Sequence, residues 1–150
     1  MEKYSLDPID QTILQLLQQD AKMGTKEIAA RVGLTQTPTF ERIKRLERWG
    51  VIKKYSIQID RKKLGVELGV FCLVSLKNHS IETLKTFEDA IREFDEVSNC
   101  YYIAGTFDYS LYIEVKDMEE YQRFLTLKLA SISNIAQVQS AFVMNTIKEA

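Results

Sequence analysis

The chain is short of the residues that most often carry chemistry. It holds one histidine, His79, and two cysteines, Cys72 and Cys100, in 150 residues. They show no metal-ligand spacing, and the sequence has no nucleophile motif and no phosphate-binding loop. Catalysis is therefore not expected, nor is a metal or cofactor. The carboxylate pairs Asp95-Glu96 and Glu119-Glu120 read as solvated loop and helix surface. Both cysteines lie in apolar, strand-like runs, so free buried thiols in a reducing compartment are expected, with a bridge between neighbouring strands as the alternative. No apolar run approaches the ~20 residues of a spanning helix, and the polar N-terminus lacks a signal-peptide pattern, which points to the cytoplasm and away from a membrane. Low-complexity segments and repeats of solenoid period are also absent.

What remains is an ordinary soluble composition, 45% hydrophobic and 27% charged, with a formal net charge of −1. The charge is unevenly placed. Residues 1–60 carry ten Lys/Arg against eight Asp/Glu, and residues 61–150 carry ten against thirteen. A basic head on an acidic body suits a nucleic-acid partner.

The head is organised around TKEIAARVGLTQTPTFERIKRLERWG, residues 25–50. Thr25 is read as the N-cap of a short helix bearing Ile28, Ala29 and Val32, and Gly33 as its left-handed stop. Pro38 is read as the first position of a second helix with Thr37 as its cap. In that helix Phe40, Ile43 and Leu46 form the apolar face, opposite Glu41, Arg42, Lys44, Arg45 and Arg48. Residues 41–54 include six basic and two acidic side chains. A short helix, a glycine turn and a basic second helix predict a helix-turn-helix whose second helix lies in the major groove. A solvated charged face is the plainer explanation of the same residues. The polar first turn, with Thr35, Gln36, Thr37 and Thr39, favours groove contact instead. Upstream, Asp7 and Pro8 open a helix with Asp10 complementing its dipole, and Ile9, Ile13, Leu14, Leu16 and Leu17 complete a three-helix core.

Residues 53–60, KKYSIQID, alternate as a strand in need of a mate, which a second copy of the chain can supply. Arg61 to Gly65 reads as a linker. The expected organisation is a helix-turn-helix domain over 1–52, a hinge strand and linker over 53–65, and a body over 66–150. In the body, strands at Val70–Leu76, Val97–Ala104, Tyr109–Val115 and Val138–Ile147 alternate with helices at Ile81–Phe94 and Asp117–Leu129. The order β-α-β-β-α-β predicts an α+β, ferredoxin-like fold, an antiparallel sheet with both helices on one face. Apolar residues on both sides of the strands predict that the open face is covered by another subunit.

LDPIDQTILQLLQQDAK (6–22), EIAARVGLTQTPTFERIKRLERWGVIKKY (27–55), CYYIAGTFDYSLYIEV (100–115) and VQSAFVMNTIK (138–148) together resemble the Lrp/AsnC family, the feast/famine regulators, over nearly the whole chain. The TPTFERIKRLE segment is similar to the leucine-responsive branch. The resemblance implies a winged-helix-like head, a hinge strand and a body that binds a small effector, usually an amino acid, between dimers. It also implies homodimers assembled into a ring of four, binding double-stranded DNA to regulate transcription of amino-acid metabolism. DNA contacts are expected from Thr25, Thr35, Gln36, Thr37, Thr39, Arg42, Lys44 and Arg45. Effector contacts are expected from Ile103, Ala104, Gly105, Thr106, Phe107 and Asp108, where turn amides suit a carboxylate and an aspartate suits an ammonium. Thr106 stands where the common loop form, G-D-[FY]-D, has its first acidic residue. That departure sustains a second expectation, an architectural DNA-binding protein without an effector. The class furthest from both is an amino-acid-metabolising enzyme built on the ferredoxin-like half.

Overall fold

Asp7 and Pro8 open the first helix, α1 (Pro8–Gln19), in a computed structural model that describes residues 5–148. The Asp7 carboxylate accepts the Asp10 N–H at 2.8 Å and the Asp10 carboxylate accepts the Asp7 N–H at 3.3 Å, a reciprocal capping box. Helix α2 (Thr25–Val32) ends at Gly33, which takes the left-handed conformation (φ 70°) that a side chain would strain. Helix α3 spans Gln36–Arg48.

Three sequence expectations fail here. Thr25 is the first helical residue rather than the cap, since Gly24 occupies the cap without a side-chain bond. Helix α3 starts two residues before Pro38, with Thr35 as its cap. Proline is tolerated there because first-turn N–H groups have no partner four residues back, and this overrides the extended bias that Pro38 places on Thr37. The buried side of α3 is Thr39, Ile43 and Leu46, and Phe40 points away from it, 46% exposed. Ile43 and Leu46 join Ile13 and Ile28 in the core, flanked by Leu6, Ile9, Leu14, Leu16, Leu17 and Val32.

The chain divides into two compact units between Ile59 and Asp60. Residues 53–60, expected as a strand, form none and are exposed throughout. A strand exists only through its ladder, and no edge of the head is available to it. The Tyr55 hydroxyl donates to Glu47 Oε1 at 2.9 Å. Arg61–Leu64, expected as linker, belong to the second unit and form a 3-10 turn capped by Asp60, and Arg61 reaches Glu114 within the same unit at 3.5 Å.

That second unit is the expected β-α-β-β-α-β: β1 (Leu68–Leu76), α4 (Ile81–Arg92), β2 (Val97–Tyr102), β3 (Tyr109–Val115), α5 (Met118–Arg123) and β4 (Ile135–Phe142). The sheet order is β2-β3-β1-β4, antiparallel throughout. Val70, Cys72 and Val74 sit opposite Ile113, Leu111 and Tyr109, and these side chains pack with Phe87, Ile91, Tyr121 and Phe124 beneath the helices. The other sheet face carries Phe71 against Tyr112, ring centroids 4.9 Å apart, and the exposed Tyr101.

Strand β1 starts two residues early, α4 and β2 each stop two early, and two other elements depart further from their expected bounds. The helix expected to run to Leu129 widens into a π turn over Phe124–Lys128 and tightens to a 3-10 turn at Leu129–Ser131. Strand β4 begins three residues early and stops five early, because its ladder runs only from Leu76↔Ile135 to Val70↔Phe142. Cys72 and Cys100 both neighbour Leu111 from opposite sides, so β3 separates them by roughly 10 Å, two strand spacings. They are free, and Cys100 is exposed rather than buried. Among the described residues no helix is long and apolar enough to cross a membrane, and no cluster of His, Cys, Asp and Glu could hold a metal ion.

Candidate DNA-binding face and effector loop

Helix periodicity decides what α3 presents outward. With Thr39, Ile43 and Leu46 buried, the opposite stripe is Gln36, Thr37, Phe40, Glu41 and Lys44, all exposed. Lys44 pairs with Glu47 at 2.7 Å and its ammonium lies 5.7 Å from the Phe40 ring centre. Arg48 is exposed beyond them.

The arginines expected at DNA turn the other way. Arg42 donates to Asp7 Oδ2 at 2.6 Å and to Asp10 Oδ1 at 2.8 Å, and Arg45 reaches Asp10 Oδ2 at 2.8 Å. Asp10 has no exposed surface at all. A buried carboxylate costs several kcal/mol unless paired, and here two guanidiniums from α3 compensate it. The pairing raises the Arg42 pKa, through its bonds to Asp7 first and Asp10 second. The Asp7 carboxyl is held below the ordinary aspartate value, chiefly by the Asp10 N–H and then by Arg42. Arg45 also stacks on Trp49, 4.9 Å from the ring centre, and leaves its buried Nε without a partner.

Thr39, also expected at DNA, is fully buried, its hydroxyl donating to the Thr35 carbonyl at 3.0 Å. Thr25 is half-buried at the start of α2, whereas Thr35, Gln36, Thr37 and Lys44 are exposed. Sequence reasoning missed Asp10 as the organiser of this face. Its signal was present: an acidic residue three beyond a capping aspartate, and two arginines three apart on the helix that must pack against it.

In the second unit, residues 103–108 join β2 to β3. The Ile103 N–H donates to the Asp108 carbonyl at 2.8 Å and closes the loop, leaving Ala104, Gly105 and Thr106 exposed at its tip. No backbone hydrogen bond among the described residues uses the N–H groups of Gly105, Thr106 or Phe107. Asp108 is anchored through both its backbone and its side chain. Its N–H donates to the Val74 carbonyl at 2.9 Å and its Oδ2 accepts the Leu76 N–H at 2.7 Å. Its Oδ1 lies 2.8 Å from Nε2 of His79, an exposed residue following β1. Sequence reasoning gave His79 no role, and nothing local marks a contact 29 residues away.

A model of the AsnC-type helix-turn-helix domain matches residues 6–47, and a model of the Lrp/AsnC ligand binding domain matches residues 69–150. The Bkd operon transcriptional regulator of Pseudomonas aeruginosa is 37% identical over 95% of this chain and 93% of its own. The leucine-responsive regulatory protein of Escherichia coli K12 is 33% identical over 96% and 88%. A transcriptional regulator of Neisseria meningitidis, solved in complex with L-Met, superposes with a TM-score of 0.93 at 30% identity over 97% and 94%. With both halves matched and full-length relatives of the same kind, the chain belongs to the Lrp/AsnC family and is a transcriptional regulator, not an enzyme.

Proposed function

We propose that the chain binds duplex DNA through α3 and answers to a small amino acid held at residues 103–108. One observation carries the DNA half. With Arg42 and Arg45 turned onto Asp10, α3 presents Gln36 and Thr37 of its first turn, and Lys44 two turns on, outward, where a recognition helix meets base edges. Gln36 suits an adenine edge, and Lys44 suits guanine or a phosphate. Thr35, Arg48, Lys53 and Lys54, all exposed, suit the phosphate backbone. Arg42, Arg45 and Thr39 act behind this surface rather than on it.

The loop amides of Gly105 to Phe107 would hold the effector carboxylate, and Asp108 with its neighbour His79 would face the ammonium. The L-Met complex of the Neisseria regulator supports an amino acid as the ligand class. A second copy of the chain would cover the sheet face bearing Phe71, Tyr101 and Tyr112 and supply a mate for residues 53–60. Four such dimers, in an octamer, would bring effector loops together.

The test pairs two measurements on the full chain. Fluorescence anisotropy with duplexes selected from a random pool reads DNA binding, and a thermal-shift screen of the twenty amino acids reads the effector. Saturating ligand stabilises the native state by about 2.7 kcal/mol at a hundredfold excess over Kd. A shift with one or a few amino acids, together with altered DNA affinity, is the expected result. DNA binding with no shift supports the architectural reading instead, which the prior engagement of Asp108 by Leu76 and His79 favours.

A further inference from the structure

Phe40 is the one large apolar side chain on the outward stripe of α3. It is 46% exposed, while Thr39, Ile43 and Leu46 supply the helix's buried side. The helix therefore packs without it. Single exposed apolar residues are common and need no explanation, but two features set this one apart. It occupies the middle of the stripe, four residues after Gln36 and four before Lys44, so it cannot avoid whatever those residues touch. The Lys44 ammonium also lies 5.7 Å from its ring centre, which restrains the ring on that stripe.

We infer that Phe40 is a specificity-determining residue that packs on the 5-methyl group of a thymine in the major groove. The inference rests on the proposed docking of α3 and deepens it. Thymine is the only base that presents an apolar group in that groove, and a phenyl ring has no donor or acceptor for any other edge. Four residues of helix advance about 6 Å along the axis, close to two base-pair steps of about 3.4 Å each. The thymine thus lies one or two base pairs from the base under Gln36.

The experiment selects binding duplexes from a random pool with the wild-type chain. It then replaces each thymine of the selected site by deoxyuridine, which removes the methyl group and nothing else. Burial of one such group is worth about 0.8 kcal/mol, about fourfold in Kd. One thymine per half-site should lose about fourfold for the wild type and nothing for Phe40→Ala, while Phe40→Leu keeps part of the preference. Equal loss in wild type and Phe40→Ala at every thymine overturns the inference and leaves DNA binding by α3 standing. A selected site with no thymine beneath the helix overturns it as well. Failure of the wild-type chain to select any duplex removes the docking itself, and the inference with it.

Discussion

Replacing Asp10 tests the central claim about the DNA-binding unit, that a buried carboxylate aims the arginines of α3 inward. Asp10→Ala leaves Arg42 and Arg45 side by side with no shared counter-charge. It also removes the acceptor for the Asp7 N–H. Losing one partner of a buried pair costs about 3–5 kcal/mol. The guanidiniums are 23% and 35% exposed, so water absorbs part of the freed charge and the lower end, about 3 kcal/mol, applies. A unit of this size has about 3–9 kcal/mol in total, so the variant sits near its unfolding midpoint or well towards it. Asp10→Asn keeps one acceptor and the shape and should cost less, on the order of 1–3 kcal/mol. The chain's only tryptophan, Trp49, lies in this unit beneath Arg45. Urea titration by tryptophan emission therefore reports this unit selectively. A loss below about 1 kcal/mol in Asp10→Ala, with unchanged emission, would refute the reasoning and return both arginines to the DNA-contact set.

Acid sensitivity should follow Asp7. Its pKa is depressed in the folded state, so its stabilising contribution is present above the unfolded-state value and lost as pH falls through the lower, folded one. Asp7→Asn should flatten that part of the acid limb of the Trp49 transition. In the second unit, Asp108→Ala should lower stability by about 1–3 kcal/mol by orphaning the Leu76 N–H, as read by the circular-dichroism melting transition. His79→Ala should leave that bond and most of the stability intact while changing any amino-acid response, which a thermal-shift titration separates. Thiol titration of the native chain at pH 8 should find one reactive cysteine. Burial pushes the Cys72 thiol up to about 11, so its thiolate is scarce; desolvation raises the Cys100 thiol as well, but Cys100 alone is exposed to reagent, on β2. Two equivalents should appear only on unfolding, and two fast equivalents in the native chain would contradict the packing of Cys72.

Much of the architecture was legible because it is locally encoded. The Asp7-Pro8 start of α1, the Gly33 stop of α2 and the bounds of β3 lie where side-chain period and cap chemistry put them. Boundaries failed where a local rule met a stronger constraint. Pro38 fits inside the first turn of α3 as readily as at its head, so its presence did not date the start of the helix. The alternation at residues 135–147 reads the same in neighbouring registers, and only pairing with β1 selected Ile135–Phe142.

The candidate site was half legible. Thr35, Gln36, Thr37 and Lys44 are exposed as their polarity suggested, and residues 105–108 lie in the expected turn, which also takes in Ile103 and Ala104, expected as the end of β2. Thr39, Arg42 and Phe40 were misassigned because a three-residue spacing rotates around a helix of 3.6 residues per turn. Composition cannot tell which side of the drifting stripe will be buried.

Outside residues 53–64, the sequence by itself determined the order and type of the main elements, hence the helix-turn-helix head and the β-α-β-β-α-β body, because periodicity and capping act over a few residues. Only the tertiary structure decided which charged groups face inward. Asp10 meets Arg42 and Arg45 across 32 and 35 residues of chain, and Asp108 meets His79 across 29. A charge is a surface residue or a buried organiser according to partners that the fold brings to it, and no local pattern carries that information.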